Sequence, residues 1–583
     1  MTPLETAETD VLILGSGGAG LFAALHASAA RPGLSVTVAV KGLLGKTGCT
    51  RMVQGGYNVA LAPGDSVERH FMDTIEGGKW LNDQDLAWLL VTVARERIRE
   101  LENELGCFFD RNADGTVHQK AFAGQTFDRT VHKGDLTGIE IVGRLAEQAW
   151  ARGLGRMEDH RAVAIVPAAG AEGVAGVLMI DMRRGALRFV RAHAVLLATG
   201  AGPTMYRYHT PSGDKTCDGL AMALRAGLTL RDMEMVQFHP TGLLAGPETR
   251  MTGTVLEEGL RGYGAYLLDG GGGRFMEGVD DRLERATRDI VSRAMFAEMR
   301  AGNTGPEGGL FLTMAHLDGA AVRRNFKGMV ERCADCGFDL VQGRVEVVPT
   351  AHYLMGGVEF GPDCRTALEG LFAAGEDTGG VHGANRLGGN GVANSTVFGG
   401  IAGDSIAAFA DAGGPFPDPD KAALEEARAL CRRPLSNPRP ASPDALESVR
   451  GRLFDLMWED AGIVRDAASL ARAAAALDGL DAELDGLGVA STDLAMNLTW
   501  HDWLNLKNLI LVSKAIAAAA AERDDSRGAH WRADHPETSD LETSAFTRVG
   551  LEGAQITVGR APVRFTRVRP GETLVTDEEP AAE

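Results

Sequence analysis

Long apolar runs are missing from this chain. No stretch of 18 consecutive apolar residues occurs, so no direct membrane insertion is expected and the chain reads as cytoplasmic. Met1 to Asp10 is acidic and lacks a basic segment followed by an apolar core, so no secretory leader is expected there. Basic charge is also short. Lys+Arg number 59 against 79 Asp+Glu, a net charge of −20, which is opposite to what binding nucleic acid or an anionic membrane surface demands. Cysteine is scarce: seven residues, odd in number and scattered, argue against a disulfide framework. Only Cys333 and Cys336 form a C-x-x-C pair. A zinc or iron–sulfur centre needs about four ligands, so the pair reads as two ordinary buried thiols and no metal site is expected. No internal repeat is found either.

What the chain has is length and glycine. Its 583 residues leave room for roughly three or four domains. Its 75 glycines are nearly twice the usual share of about 7% and imply tight turns and close backbone approaches. The run from Asp10 through V-L-I-L to Gly15-x-Gly17-x-x-Gly20 leads into the helical pattern L-F-A-A-L-H-A-S-A-A and a second apolar run, Val36 to Val40. That order is strand, glycine turn, helix, strand. Gly15 permits the tight turn, Gly17 lets the backbone approach a pyrophosphate, and Gly20 lets the helix pack closely. The motif alone is weak and an incidental glycine turn is the alternative, but the strand–helix context favours a dinucleotide site. Lys41 stands where an acidic residue often binds ribose, which makes NAD less favoured.

Two further apolar runs end in glycine junctions, Ala194 to Leu197 before Ala198-Thr199-Gly200 and Leu371 to Ala374 before Gly375-Glu376-Asp377. Such distant returns are expected when a nucleotide-binding sheet is interrupted by an inserted domain, here near residues 240–350. From Lys421 to Arg523 the chain is rich in Ala, Leu and Glu and reads as helical, punctuated by a linker from Pro434 to Pro443. From Asp524 onward it is polar and reads as a tail draped over the rest.

A longer series of motifs is more specific. It comprises G-S-G-G-A-G, Gln54-Gly55-Gly56, V-Q-F-H-P-T-G from Val236 to Gly242, E-G-L-R-G from Glu258 to Gly262, and Arg288-Asp289. P-T-A-H-Y-L-M-G-G from Pro349, A-A-G-E from Ala373, H-G-A-N-R-L-G-G-N from His382 and S-R-G-A-H from Ser526 follow in order. Over nearly its whole length the chain resembles the flavoprotein family of succinate dehydrogenase, fumarate reductase and L-aspartate oxidase. The resemblance implies an α/β FAD-binding domain, Rossmann-like and of the glutathione-reductase type, interrupted by an α+β capping domain and followed by a C-terminal helical domain. The implied boundaries are 1–238 and 352–419 for the FAD-binding domain, 239–351 for the cap, 420–530 for the helical domain and 531–583 for the tail.

The resemblance also implies the site. Gly15, Gly17 and Gly20 hold the FAD pyrophosphate, and Lys41, Thr50, Gln54, Gly55, Gly56, Asp218, Glu376 and Asn390 complete the cofactor site. The glycine run after Leu387 starts a helix near the pyrimidine end of the flavin, where its N-terminus favours negative charge on the reduced ring. The chain carries groups able to clamp two carboxylates in His239, His352, Arg288 and Arg386. Arg288 resembles the family's catalytic arginine, which exchanges a proton with one carbon while the flavin exchanges a hydride with the next. An arginine needs a relay for this, and Glu258 and Arg261, spaced i to i+3, match the family's proton path. Without the match, Arg288 in D-D-R-L-E-R-A-T-R-D would read as part of a solvated charged helix.

Three positions depart from the family pattern. Cys49 replaces the flavin-linking histidine, so noncovalent FAD is expected, with a lowered flavin potential that favours reducing fumarate-like acceptors; a cysteinyl thioether is the alternative. Glu257 replaces a threonine that hydrogen-bonds a substrate carboxylate, and an ionised glutamate there would repel it. Tyr263 replaces an acidic residue. The expected activity is hydride transfer at a carbon–carbon bond of a dicarboxylate-like substrate. The alternatives are amino-acid oxidation of the L-aspartate oxidase kind, a related dehydrogenase whose substrate is modified with an amide, hydroxyl or amino group because of Glu257, and, from another class, an electron-transfer or assembly subunit without a substrate. An iron–sulfur subunit is the implied partner, because this chain supplies no cluster ligands.

Overall fold

The computed structural model describes residues 4–170, 173–246, 249, 251–410, 414–438, 442 and 444–576. The strand Glu5–Leu14 is wholly buried from Thr9 onward, as a strand covered on both faces by helices must be. It pairs in parallel with Val36–Ala39 on one side and with Ala186–Leu197 on the other, and Leu371–Ala373 also pairs in parallel with Ala186–Leu197. The distant apolar runs therefore return to one seven-stranded sheet. Helices Gly18–Ala30 and Asn390–Phe409 pack on it and on each other closely enough that a Cβ on Gly399 would lie 2.7 Å from the Ala19 carbonyl oxygen.

Between these returns the chain builds a second, antiparallel sheet of four strands, ordered Val236–Leu243, Arg344–Leu354, Leu310–Thr313 and Tyr266–Leu268. Its own core gathers Leu243, Leu260, Val291, Met295, Leu312 and Val345. The first and last strands of this excursion are neighbours, with His239 opposite Thr350 and Phe238 opposite Ala351. That pairing puts both ends of the inserted segment beside the parallel sheet.

Four helices follow: Lys421–Ser436, Ala445–Asp460, Ala467–Gly486 and Leu498–Glu522. Asp420 caps the first with its carboxylate on the Ala422 and Ala423 amides, and Asp466 with Ser469 forms a capping box on the third. Leu498–Glu522 is the one helix among the described residues long and apolar enough to cross a membrane, yet its apolar stretch is 67% buried within the protein. It is apolar because it runs through the middle of the bundle, burying Trp503, Leu506, Ile510 and Ile516. Lys507 and Lys514 interrupt the run and both reach Asp481, at 2.6 and 2.9 Å.

Two readings of the C-terminal third are corrected. Pro434 sits in the last turn of helix Lys421–Ser436, so the linker begins only after Ser436; residues 439–441 and 443 lie outside the described residues. The expected tail contains a hairpin, Ala545–Glu552 with Gln555–Pro562, turned at Gly553 with φ +61°. It pairs with Leu230–Arg231, placing Leu230 opposite Val549. Thr547 and Val549 are buried on alternate residues of Ala545–Glu552, a half-buried strand pattern hidden in sequence by the surrounding polar residues.

Candidate functional site

A cavity of about 450 Å³ runs from the first glycine turn to the joint between the two sheets. At one end it is lined by Gly15, Ser16, Gly17, Gly18 and Ala19, at the N-terminus of helix Gly18–Ala30. Gly15 has φ +114°, and a Cβ there would lie 2.1 Å from the Ala198 carbonyl oxygen, so only glycine fits. Gly20 does not line the cavity. A Cβ on it would lie 2.0 Å from the Gly15 carbonyl oxygen, so its part is to seat helix against strand.

Thr50 accepts a hydrogen bond from the Gly18 amide at 3.0 Å and joins Gln54, Gly55 and Gly56 along the wall. Gly55 and Gly56 have no room for a side chain, the first against the Phe122 ring and the second against the Val131 carbonyl. Lys41 lines the cavity and pairs with Asp218 at 2.8 Å. Asp218 also accepts from Arg161 at 2.9 Å and Asn508 at 2.7 Å, so its carboxylate is held from several sides. Glu376 lies in the wall with Oε1 on the Leu354 amide; burial pushes its carboxyl up, and Lys215 opposes the rise. Asn390 begins helix Asn390–Phe409 but is turned away: its side chain bonds Asn58, His70 and Thr74 and does not line the cavity. Gly389, at φ +87°, and Gly391 line it instead.

At the other end the expected substrate groups converge. The strand pairing sets the His239 and His352 rings 5.3 Å apart between centroids. His352 is bonded through Nδ1 to Thr210 at 2.7 Å, and His239 through Nδ1 to Thr241 at 3.3 Å, leaving each Nε2 as the second ring nitrogen. Burial, reinforced by Arg288, holds both rings well below the ordinary histidine range, so both are neutral. Arg386 lies over the Tyr353 ring at 4.4 Å, and its Nε has no protein partner among the described residues. A buried guanidinium with unmet donors in a cavity wall suits a carboxylate.

Arg288 is buried and held at three nitrogens. Nε and Nη2 donate to Glu258 at 3.2 and 2.7 Å, and Nη1 donates to Gln237 at 2.8 Å. Arg261, behind Glu258 and outside the cavity wall, donates to the same carboxylate at 2.9 Å. Burial pushes the Glu258 carboxyl up, but Arg288 and Arg261 outweigh it and bring it down to about 2. The three form a continuous Arg261–Glu258–Arg288 chain ending at the cavity. Gly388 lies flat against it, since a Cβ there would sit 2.2 Å from Glu258 Oε2.

Glu257 lines the cavity and pairs with Lys120 at 2.7 Å. Burial pushes the Glu257 carboxyl up and Lys120 opposes the rise, so the expected repulsion of a substrate carboxylate is countered by a partner that the sequence did not point to. Tyr263 is 42% exposed, packs on Phe326 and lies outside the cavity, so its departure from the family pattern does not touch the site. Sequence reasoning also missed Gln237, Lys215 and Arg332. Gln237 carried a signal, standing two residues before His239 in the same motif; Lys120, Lys215 and Arg332 carried none.

Residues 10–392 match the FAD binding domain family, and residues 450–575 match the fumarate reductase flavoprotein C-terminal family. A CoM/CoB fumarate reductase component from Methanothermobacter marburgensis is 39% identical over 92% of this chain and 96% of that one. The chain belongs to the fumarate reductase and succinate dehydrogenase flavoprotein family. The L-aspartate oxidase of Streptomyces coelicolor, 37% identical over 91% of this chain and 89% of that one, is another relative. A mutant E. coli quinol fumarate reductase superposes with a TM-score of 0.91 at 31% identity, over 98% of this chain and 99% of the other. As a flavoprotein of this family the chain is an FAD-dependent oxidoreductase, and the glycine turn, helix N-terminus and side-chain-free wall fit FAD. Cys49 lies in that wall, and burial pushes its thiol up to about 11. Cys333 is buried in the cap, while Cys336 is only half-buried.

Proposed function

We propose that the chain catalyses hydride transfer between flavin and a carbon–carbon bond of a C4 dicarboxylate, with Arg288 as the proton donor or acceptor. The observation that supports this most is the buried Arg261–Glu258–Arg288 chain ending in the same cavity wall as His239, His352 and Arg386. Arg288, Arg332 and Arg386 line the cavity and Arg261 stands behind Glu258, so the site is net positive, as an anionic dicarboxylate would require. Arg386 and the two neutral histidines bind and orient the carboxylates. Bound FAD supplies or takes the hydride. In the reducing direction an Arg288 N–H gives its proton to the adjacent carbon, and Glu258, reached through Arg261, passes a proton back to Arg288. Gln237 holds the remaining Arg288 nitrogen and so fixes the guanidinium plane.

FAD is proposed to be noncovalent, since the linking position is Cys49 with a thiol held protonated at neutral pH. The electron partner is proposed to be an iron–sulfur subunit, supported by relatives named as subunits. Arg288→Ala should retain FAD and substrate-induced changes in the flavin spectrum but lose turnover of fumarate with a reduced dye. Arg386→Ala should weaken dicarboxylate binding by about 1.5–3 kcal/mol, a charge-assisted hydrogen bond. Near-normal turnover by Arg288→Ala contradicts the assignment. Glu257 favours a second reading, oxidation at a carbon–nitrogen bond as in L-aspartate oxidase, because its carboxylate could receive an ammonium group. Formation of imino acid and hydrogen peroxide from L-aspartate would select it.

A further inference from the structure

Lys120 and Glu257 meet across the cavity joint from two different parts of the chain. Lys120 ends the short strand Gln119–Lys120, beside the glycine wall, and Glu257 belongs to the inserted segment, immediately before Glu258. Lys120 Nζ is fixed by the Gly134 carbonyl at 3.1 Å and donates to Glu257 Oε1 at 2.7 Å. Glu257 is 3% exposed, and among the described residues its only side-chain hydrogen bond is this one. Gly259 permits the arrangement, since a Cβ there would lie 2.7 Å from Glu257 Oε1. The carboxylate is thus pinned by one oxygen in the cavity wall, with the second oxygen left as an acceptor.

That second oxygen opens onto the cavity, so a ligand donor would replace water on a charged acceptor there, an exchange that favours binding. An unsubstituted succinate or fumarate offers Glu257 no donor. Lys120 opposes the burial that pushes the Glu257 carboxyl up, so the pair leaves the site net positive while adding a directional acceptor.

Resting on the proposed dicarboxylate reading, we propose that Glu257 is a specificity-determining residue that selects C4 dicarboxylates carrying a hydrogen-bond donor, a hydroxyl or an ammonium, on the carbon skeleton. Lys120 is its positioning residue. The surroundings of this part of the cavity are also polar: Arg332 lines it, donates to the Val255 carbonyl at 3.0 Å, and its charge reaches Glu257. A donor-bearing substituent therefore enters a polar environment and not an apolar slot.

Succinate, L-malate and L-aspartate form a series that differs only in the substituent, and each can be titrated against the flavin absorbance of the FAD-loaded protein without an electron partner. L-malate or L-aspartate should bind about tenfold or more tightly than succinate, the preference of a hydrogen bond to a charged group. In Glu257→Thr that preference should collapse to within about twofold, with fumarate binding retained. Glu257→Gln separates the two donors: a hydroxyl keeps its acceptor and its preference, whereas an ammonium loses its ionic partner and its preference. Lys120→Met should weaken all the acids, and Lys120→Met combined with Glu257→Thr should recover succinate and fumarate. Wild-type binding of succinate as tight as that of both substituted acids, or a preference that survives Glu257→Thr, overturns the inference while leaving the dicarboxylate reading in place. If none of the acids perturbs the flavin, both fail.

Discussion

Arg288 shows how a single residue comes to surroundings that its sequence neighbourhood conceals. The segment around it is densely charged and in isolation reads as a solvated helix, yet Arg288 is 6% exposed and three of its nitrogens are engaged. Long-range partners bury it, Glu258 being 30 residues away and Gln237 51. Local charge patterning could not show this, and the motif series could. Glu257 is the opposite case. Its departure from the family pattern was visible in sequence, but the compensating Lys120 lies 137 residues away with no motif around it. Cys49 carries a prediction at this scale. Burial keeps the thiol protonated, which disfavours attack on the flavin, so acid precipitation should release yellow flavin into the supernatant. Fluorescence that stays with the denatured polypeptide would show a cysteinyl bond instead.

At the scale of elements, the glycine turn and the helix after it were legible because their requirements are local: a positive φ at Gly15 and close packing at Gly20. A Cβ on Gly20 meets backbone, which cannot swing aside as a flexible side chain can. Gly20→Ala should therefore push helix Gly18–Ala30 off the sheet and lower the ratio of FAD to protein after gel filtration, although Gly20 lines no part of the cavity. An unchanged ratio would mean that the helix can shift without cost. The pairing of Val236–Leu243 with Arg344–Leu354 was legible only as two distant histidine motifs, because antiparallel register over a hundred residues leaves no periodic signal. The C-terminal hairpin escaped notice for a related reason. Its strands mix apolar and polar residues in short runs, and the first depends on pairing with Leu230–Arg231, more than 300 residues earlier in the chain.

For the whole molecule, the buried ionisable groups set a pH dependence of stability. His70 is brought down to about 3 by burial and by Arg129, against a bond to Asn390 that raises it. His501 is likewise lowered to about 3, by burial and then Arg161. The unfolded chain takes up protons on these histidines near their ordinary value, whereas the folded one does not, so their contribution is lost as pH falls below about 6.5. Glu258, at about 2, adds stability above the ordinary carboxylate range that disappears as pH falls toward 2. His26 works the other way: Asp404 and Glu100 raise it despite burial, so its contribution is complete below the ordinary histidine value and is lost as pH rises through the raised one. The thermal midpoint should fall steadily from pH 6.5 to 4. A midpoint that rises on acidification would contradict these assignments.

The central claim is that Arg288 moves the proton in a flavin-dependent reaction of a dicarboxylate. Its most direct test needs no electron partner. The FAD-loaded protein, reduced anaerobically, is mixed with fumarate while flavin absorbance and succinate are followed. Wild-type flavin should reoxidise with one succinate formed per flavin, whereas in Arg288→Ala the flavin should stay reduced although fumarate still binds. Reoxidation of Arg288→Ala at the wild-type rate, or a wild-type flavin that fumarate leaves reduced, would contradict it.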